Sequence, residues 1–105
     1  MTKQFNEDTF HGEVLTSDKL AVVDFYTPTC GPCRRLAPTI DKLSEEYGEA
    51  VSIGKVNASE NMKLSSDYKI SVVPTILFIK DGKEVDRQTG LLSEDALRKL
   101  IEKHK

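Results

Sequence analysis

Two hydrophobic periods alternate along the chain, one near 3.6 residues and one near 2. Asn6, followed by Glu7 and Asp8, predicts a helix start: an N-cap side chain with acids facing the positive end of the dipole. Phe10, Val14 and Leu15 would form its apolar stripe, ending near Thr16. Leu20–Tyr26 is almost continuously apolar and β-branched, which predicts a central strand covered on both faces. After Thr27, Pro28 and Thr29, a helix is expected from about Gly31 to Tyr47, with Leu36, Ile40, Leu43 and Tyr47 on one face and a bend at Pro38. Val51–Asn57 reads as a second strand, Asn61–Tyr68 as a short helix and Thr75–Ile79 as a third strand. Lys80-Asp81-Gly82-Lys83 carries the Asp-Gly hairpin signal and leads into a more polar strand, Glu84–Thr89, suited to an antiparallel sheet edge. Ser93, with Glu94 and Asp95 behind it, caps a last helix whose Ala96, Leu97, Leu100 and Ile101 face inward. With a further short strand allowed at Lys3–Phe5, this order predicts an α/β fold, a mixed sheet between layers of helix.

A chain of 105 residues, 38% of them hydrophobic, can bury a core without staples, and a single domain over 1–105 is expected. The longest run without a charge, Ile70–Ile79, is far short of the roughly 18 apolar residues of a membrane-spanning helix. Residues Met1–Asp8 hold acids and no apolar stretch, which points to the cytoplasm. A net charge of −2, with no basic cluster beyond Arg34 and Arg35, argues against nucleic acid as a partner. Nothing calls for more than a monomer.

Cys30-Gly31-Pro32-Cys33 lies where the central strand hands over to a helix. Three residues along a helix separate Cα atoms by about 5 Å, inside the range a disulfide bridges. Pro32 supplies a helical φ where a missing N–H is harmless, and Gly31 leaves room for another chain to reach the first sulfur. Unpaired N–H groups at the helix start favour a thiolate at Cys30, the candidate nucleophile; Cys33, one turn deeper, is the candidate resolving thiol. A zinc site would need two further ligands, and His11 and His104, both expected on solvated helix surfaces, do not have the spacing. A structural disulfide closing so short a loop would restrain little chain entropy. Redox exchange is the reading that the strand-to-helix context favours. Asp24, interrupting the apolar strand, fits two descriptions: a poorly solvated acid that exchanges a proton with Cys33, or a carboxylate at an exposed strand end or paired with Lys55. Pro74 reads as a strand-starting proline.

Val22-Val23-Asp24-Phe25-Tyr26, Cys30-Gly31-Pro32-Cys33, Ala37-Pro38, Lys55-Val56-Asn57, Val73-Pro74-Thr75, Lys80-Asp81-Gly82 and Gly90, in that order and spacing, resemble the thioredoxin family along essentially the whole chain. The resemblance implies a thioredoxin fold, with four or five strands flanked by four helices, and reduction of protein disulfides without a bound cofactor. It implies Asp24 as a buried proton-transfer acid beside Lys55, a cis bond before Pro74, and a substrate segment pairing with the Val73 backbone near Thr29, Gly31, Pro32 and Gly90. Partners would be disulfide-containing proteins and a thioredoxin reductase or another electron donor. The chain departs from the family in having no tryptophan: Thr29 stands directly before the first cysteine and Tyr26 at the other usual tryptophan position. Arg34 follows Cys33 where lysine is common. These changes predict altered partner choice and a retuned site. An exchange protein with a shifted potential, or a docking module keeping the fold, are the alternatives.

Overall fold

The computed structural model describes residues 2–105. In chain order its elements are β1 (Lys3–Gln4), α1 (His11–Leu15), β2 (Ala21–Tyr26), α2 (Gly31–Tyr47), β3 (Ser52–Asn57), α3 (Met62–Asp67), β4 (Thr75–Lys80), β5 (Lys83–Thr89) and α4 (Glu94–His104). The five strands form one mixed sheet in the order β1-β3-β2-β4-β5. β2 pairs in parallel with β3 and antiparallel with β4, so the strand expected at the centre is there. The polar strand β5 takes an edge, antiparallel to β4 as expected. Among the described residues no helix is long and apolar enough to cross a membrane.

Strand periodicity sorts the side chains into two cores. Leu20 and Val22, with Ile53, Ile76 and Phe78, face Leu36, Ile40 and Leu43 of α2 and Leu97 and Ile101 of α4. Ala21, Val23 and Phe25, with Val56, Leu77 and Ile79, face Phe10 and Val14 near α1 and Leu64 of α3. Asp24 shares the parity of Leu20 and Val22, so period two directs it toward α2.

Local chemistry fixes the ends. Ser93 Oγ accepts the Ala96 N–H at 3.1 Å, capping α4 as expected. Arg98 of α4 reaches both carboxylate oxygens of Glu46 on α2, at 2.8 and 2.9 Å, locking the two helices side by side. α2 continues through Pro38 and ends at Gly48, whose φ of 53° a glycine adopts without penalty. Asp81 and Gly82 both take positive φ, the requirement of the tight hairpin turn that the Asp-Gly pair signals.

Two expectations need correction. Asn6 does cap, its Oδ1 accepting the N–H groups of Asp8 and Thr9 and its carbonyl the Phe10 N–H at 2.9 Å, but the helix that follows over His11–Leu15 is not an ordinary α-helix. α1 is wound in the wide register in which the Thr16 N–H reaches the His11 carbonyl, and the Thr16 hydroxyl also bonds the His11 and Gly12 carbonyls. His104 is not on a solvated surface: the last turn of α4 packs on the sheet, placing the ring 6.1 Å from that of Phe78, with Nε2 2.9 Å from Asp86 Oδ2. That contact is the first cause of the lowered pKa of Asp86. His11 is exposed, as expected.

The sequence pattern did not flag Gly54. It pairs with Lys3, and a Cβ there would lie 2.7 Å from Phe5 Cζ and 2.9 Å from the Lys3 carbonyl oxygen. Gly54→Ala is therefore expected to lower stability by about 1–3 kcal/mol in urea unfolding, at unchanged m-value, by displacing β1. Gly12→Ala, whose Cβ meets nothing within 4 Å, should be neutral or mildly stabilising in the same experiment.

Candidate active site

The C-terminal end of β2 and the N-terminus of α2 build the site. β2 is held on both sides by ladders and on both faces by core, so its end is a fixed platform. The chain leaves it through the turn Thr27-Pro28-Thr29-Cys30, closed by the Cys30 N–H on the Thr27 carbonyl at 3.3 Å. Cys30 is the N-cap of α2, in extended conformation, and its Sγ accepts the Cys33 N–H at 3.1 Å. A helix N-terminus thus aims a backbone donor at that sulfur, an arrangement that favours negative charge there. The two cysteines form a disulfide with Cα atoms 5.2 Å apart, matching the helical-spacing estimate. Cys33 is buried, whereas Cys30 is half-buried at the rim and Gly31 beside it is exposed.

Asp24 is 3% exposed, and its Oδ1 has no hydrogen-bond partner. The exposed-strand-end description does not hold. Burial pushes its carboxyl up to about 7, an effect opposed by the positive charge of Lys55. Lys55 lies opposite Asp24 in the β2–β3 register, and its ammonium sits 5.3 Å from the centre of the Tyr26 ring. Asp24, Cys33 and Lys55 share one cavity of about 160 Å³, whose wall also includes Tyr26, Ala37 and Ile40. A carboxyl that titrates near neutrality therefore shares a small, largely apolar space with the inner cysteine.

On the opposite side, the loop before β4 closes over the outer sulfur. The Val73–Pro74 bond is cis, as the resemblance implies, and the Val73 carbonyl oxygen lies 3.7 Å from Cys30 Sγ. Gly90 donates its N–H to the Pro74 carbonyl at 2.9 Å, and the Thr75 hydroxyl bonds the Val72 carbonyl at 2.7 Å, so this loop is fixed from both ends. A shallow groove lined by Thr27, Ala58, Met62, Ile70, Val72 and Val73 runs away from it. Met62 and Val72 are exposed apolar residues that periodicity alone did not distinguish. Thr29 is exposed, Pro32 half-buried. Arg34 was read from sequence only as a positive charge; in the fold its guanidinium donates twice to the Pro28 carbonyl. No signal along the chain links Arg34 to Pro28, six residues apart across a turn.

With this geometry in hand, the comparisons with known proteins agree. The family model described as Thioredoxin matches residues 1–103. The chain is similar to thioredoxin 1 of Nostoc, with 40% identity over 96% of this chain and 94% of that one. It is also 41% identical to thioredoxin 1 of Synechococcus elongatus, over 91% and 90% of the two chains. Thioredoxin of Synechocystis is 37% identical over 98% and 96%. A mixed sheet with helices on both faces, a cysteine pair at the start of α2 and matches along nearly the whole chain lead to one conclusion: the protein belongs to the thioredoxin family of dithiol–disulfide oxidoreductases.

Proposed function

We propose that the protein reduces disulfides in other proteins, with Cys30 as nucleophile, Cys33 as resolving thiol and Asp24 as the group that takes the Cys33 proton. The carrying observation is the shared cavity that joins Asp24 to Cys33 while Cys30 stands at the rim. In the reduced protein, the Cys30 thiolate attacks one sulfur of a substrate disulfide, forming a mixed disulfide and releasing the first substrate thiolate. Cys33 then gives its proton to the Asp24 carboxylate and attacks Cys30 Sγ, releasing the second substrate thiolate and closing the Cys30–Cys33 bond. Two electrons pass to the substrate, and the proton held by Asp24 returns to solvent or product.

An extended substrate segment would add along the Val73 backbone, with Thr29, Gly31, Pro32, Pro74 and Gly90 around the reacting sulfur. Lys55, Tyr26 and Arg34 would modulate the site through charge and packing. Thr29 and Tyr26, at the usual tryptophan positions, favour a narrower or different partner set. Reducing equivalents would come from a thioredoxin reductase or another electron-donor protein, with the disulfide itself as the only redox group. The proposed setting is the cytoplasm, where thiols are kept reduced. The chain would work as one domain and as a monomer; the charged β5 edge disfavours strand pairing between copies.

Cys33→Ser should accumulate a covalent adduct with a disulfide-bearing protein that dithiothreitol releases, and Cys30→Ser should accumulate none, as read on non-reducing gels. Trapping on the Cys30→Ser variant instead would reverse the assigned roles.

Asp24→Asn should slow release of the mixed disulfide about tenfold or more at pH 7. The deficit should narrow as pH rises, because alkali increasingly ionises the thiol without help from the acid. The same variant tests linkage. A carboxyl at about 7 in the native disulfide form, against 3.8 as its unperturbed value, keeps its proton longer when folded. Native stability therefore falls as pH rises between those values. Asp24→Asn should be no more stable than the parent below about pH 4. Its advantage should grow to a plateau above pH 7, on the order of 4 kcal/mol at most, in chemical denaturation followed across pH.

A further inference from the structure

We infer that Arg34, itself exposed, is a positioning residue, holding the Thr27–Thr29 turn in place along one wall of the cavity that Asp24 and Cys33 line. In a β-turn the ladder bond uses the first carbonyl and the last N–H, leaving the carbonyl of the second residue without a partner inside the turn. Here that carbonyl belongs to Pro28. Arg34 takes it with two donors, Nε at 3.1 Å and Nη2 at 2.8 Å. The turn's own bond, from the Cys30 N–H to the Thr27 carbonyl, is long at 3.3 Å. Arg34 is anchored in turn, because its N–H bonds the Cys30 carbonyl at 3.1 Å within the first turn of α2. The guanidinium thus ties the segment before Cys30 to the helix after it.

Tyr26, Thr27, Pro28 and Arg34 all line the cavity, so the tie keeps one of its walls in place. Thr29, a small residue, supplies no bulk to hold that wall from outside. A forked, planar donor is required: lysine would keep the charge and lose the second bond to the same oxygen. The charged and titratable groups facing Asp24 are Lys55 of β3, Arg34 and Asp41 of α2, and Tyr26 of β2, while β4 offers Ile76 opposite it. If Arg34 acted through charge alone, removing it would raise the titration midpoint of Asp24. If it acts by keeping the wall in place, removing it lets more water reach the carboxyl and lowers that midpoint. The sign of the shift separates the two.

The test is titration of the Asp24 carboxyl by carbon NMR in the disulfide form, where neither sulfur ionises, for the parent, Arg34→Met and Arg34→Lys. Both variants are expected to titrate lower than the parent, by about one pH unit. An increase in Arg34→Met with no change in Arg34→Lys would make the role purely electrostatic and overturn the inference; an unmoved midpoint in both would overturn it equally. The consequence for catalysis rests on the role proposed for Asp24: the pH dependence of mixed-disulfide release should shift downward with the midpoint. If the midpoint moves and the release profile does not, the assignment of Asp24 fails while that of Arg34 stands.

Discussion

The whole site depends on the burial of β2, whose residues Ala21–Phe25 are all buried. Its backbone is paired to β3 on one side and β4 on the other, and its side chains are covered on both faces. A strand so constrained has no freedom in direction or register, since a shift of one residue would turn every side chain to the wrong face. The only place where it can meet solvent chemistry is its end. That end is where the cysteine pair begins, so the least deformable element of the fold positions the most reactive one.

The same burial sets the chemistry of Asp24. A carboxyl between Val23 and Phe25, aimed into the α2 layer, is only 3% exposed and has one oxygen with no hydrogen-bond partner in the protein, so its charge is poorly solvated. An apolar residue there would serve stability better. The proton exchange proposed for Asp24 fits a carboxyl raised to about 7, with Lys55 alongside limiting how far burial raises it. Local conflict between residue type and environment is thus concentrated beside the inner cysteine, where a protonation change has a use.

Around the outer sulfur the organising forces are different. The loop before β4, the start of α2 and the residue after β5 converge through backbone contacts: Val73 against Cys30 and Gly90 bonded to Pro74. Backbone groups presented this way can pair with an extended segment whatever its side chains. With no tryptophan in the chain, the side chains around this face are smaller: Thr29 at the rim, and Met62 and Val72 on the groove beside it. The turn carrying Thr29 is held by a polar tie, the Arg34 guanidinium on the Pro28 carbonyl.

The sequence by itself determined every element whose signal is local. A continuous apolar, β-branched run marked β2, and short strand-like runs marked β3 and β4; helical spacing marked α2 and α4; Ser93 marked the start of α4 and Asp81-Gly82 the turn into β5; and the Cys30–Cys33 spacing made a bridgeable pair at a helix start. Boundaries moved by a residue or two, and the Asn6-capped turn leads into a wide helix over His11–Leu15. Only the tertiary structure decided what depends on distance in the chain. Asp24 was open between exposed and buried until α2 was laid over its face of the sheet. Gly54 needed Phe5 and Lys3 beside it to become obligatory, His104 needed Asp86 and Phe78, and Arg34 needed the turn folded back toward it. Propensity and periodicity are properties of neighbouring residues, whereas solvation and close contact are set by whatever the fold places alongside.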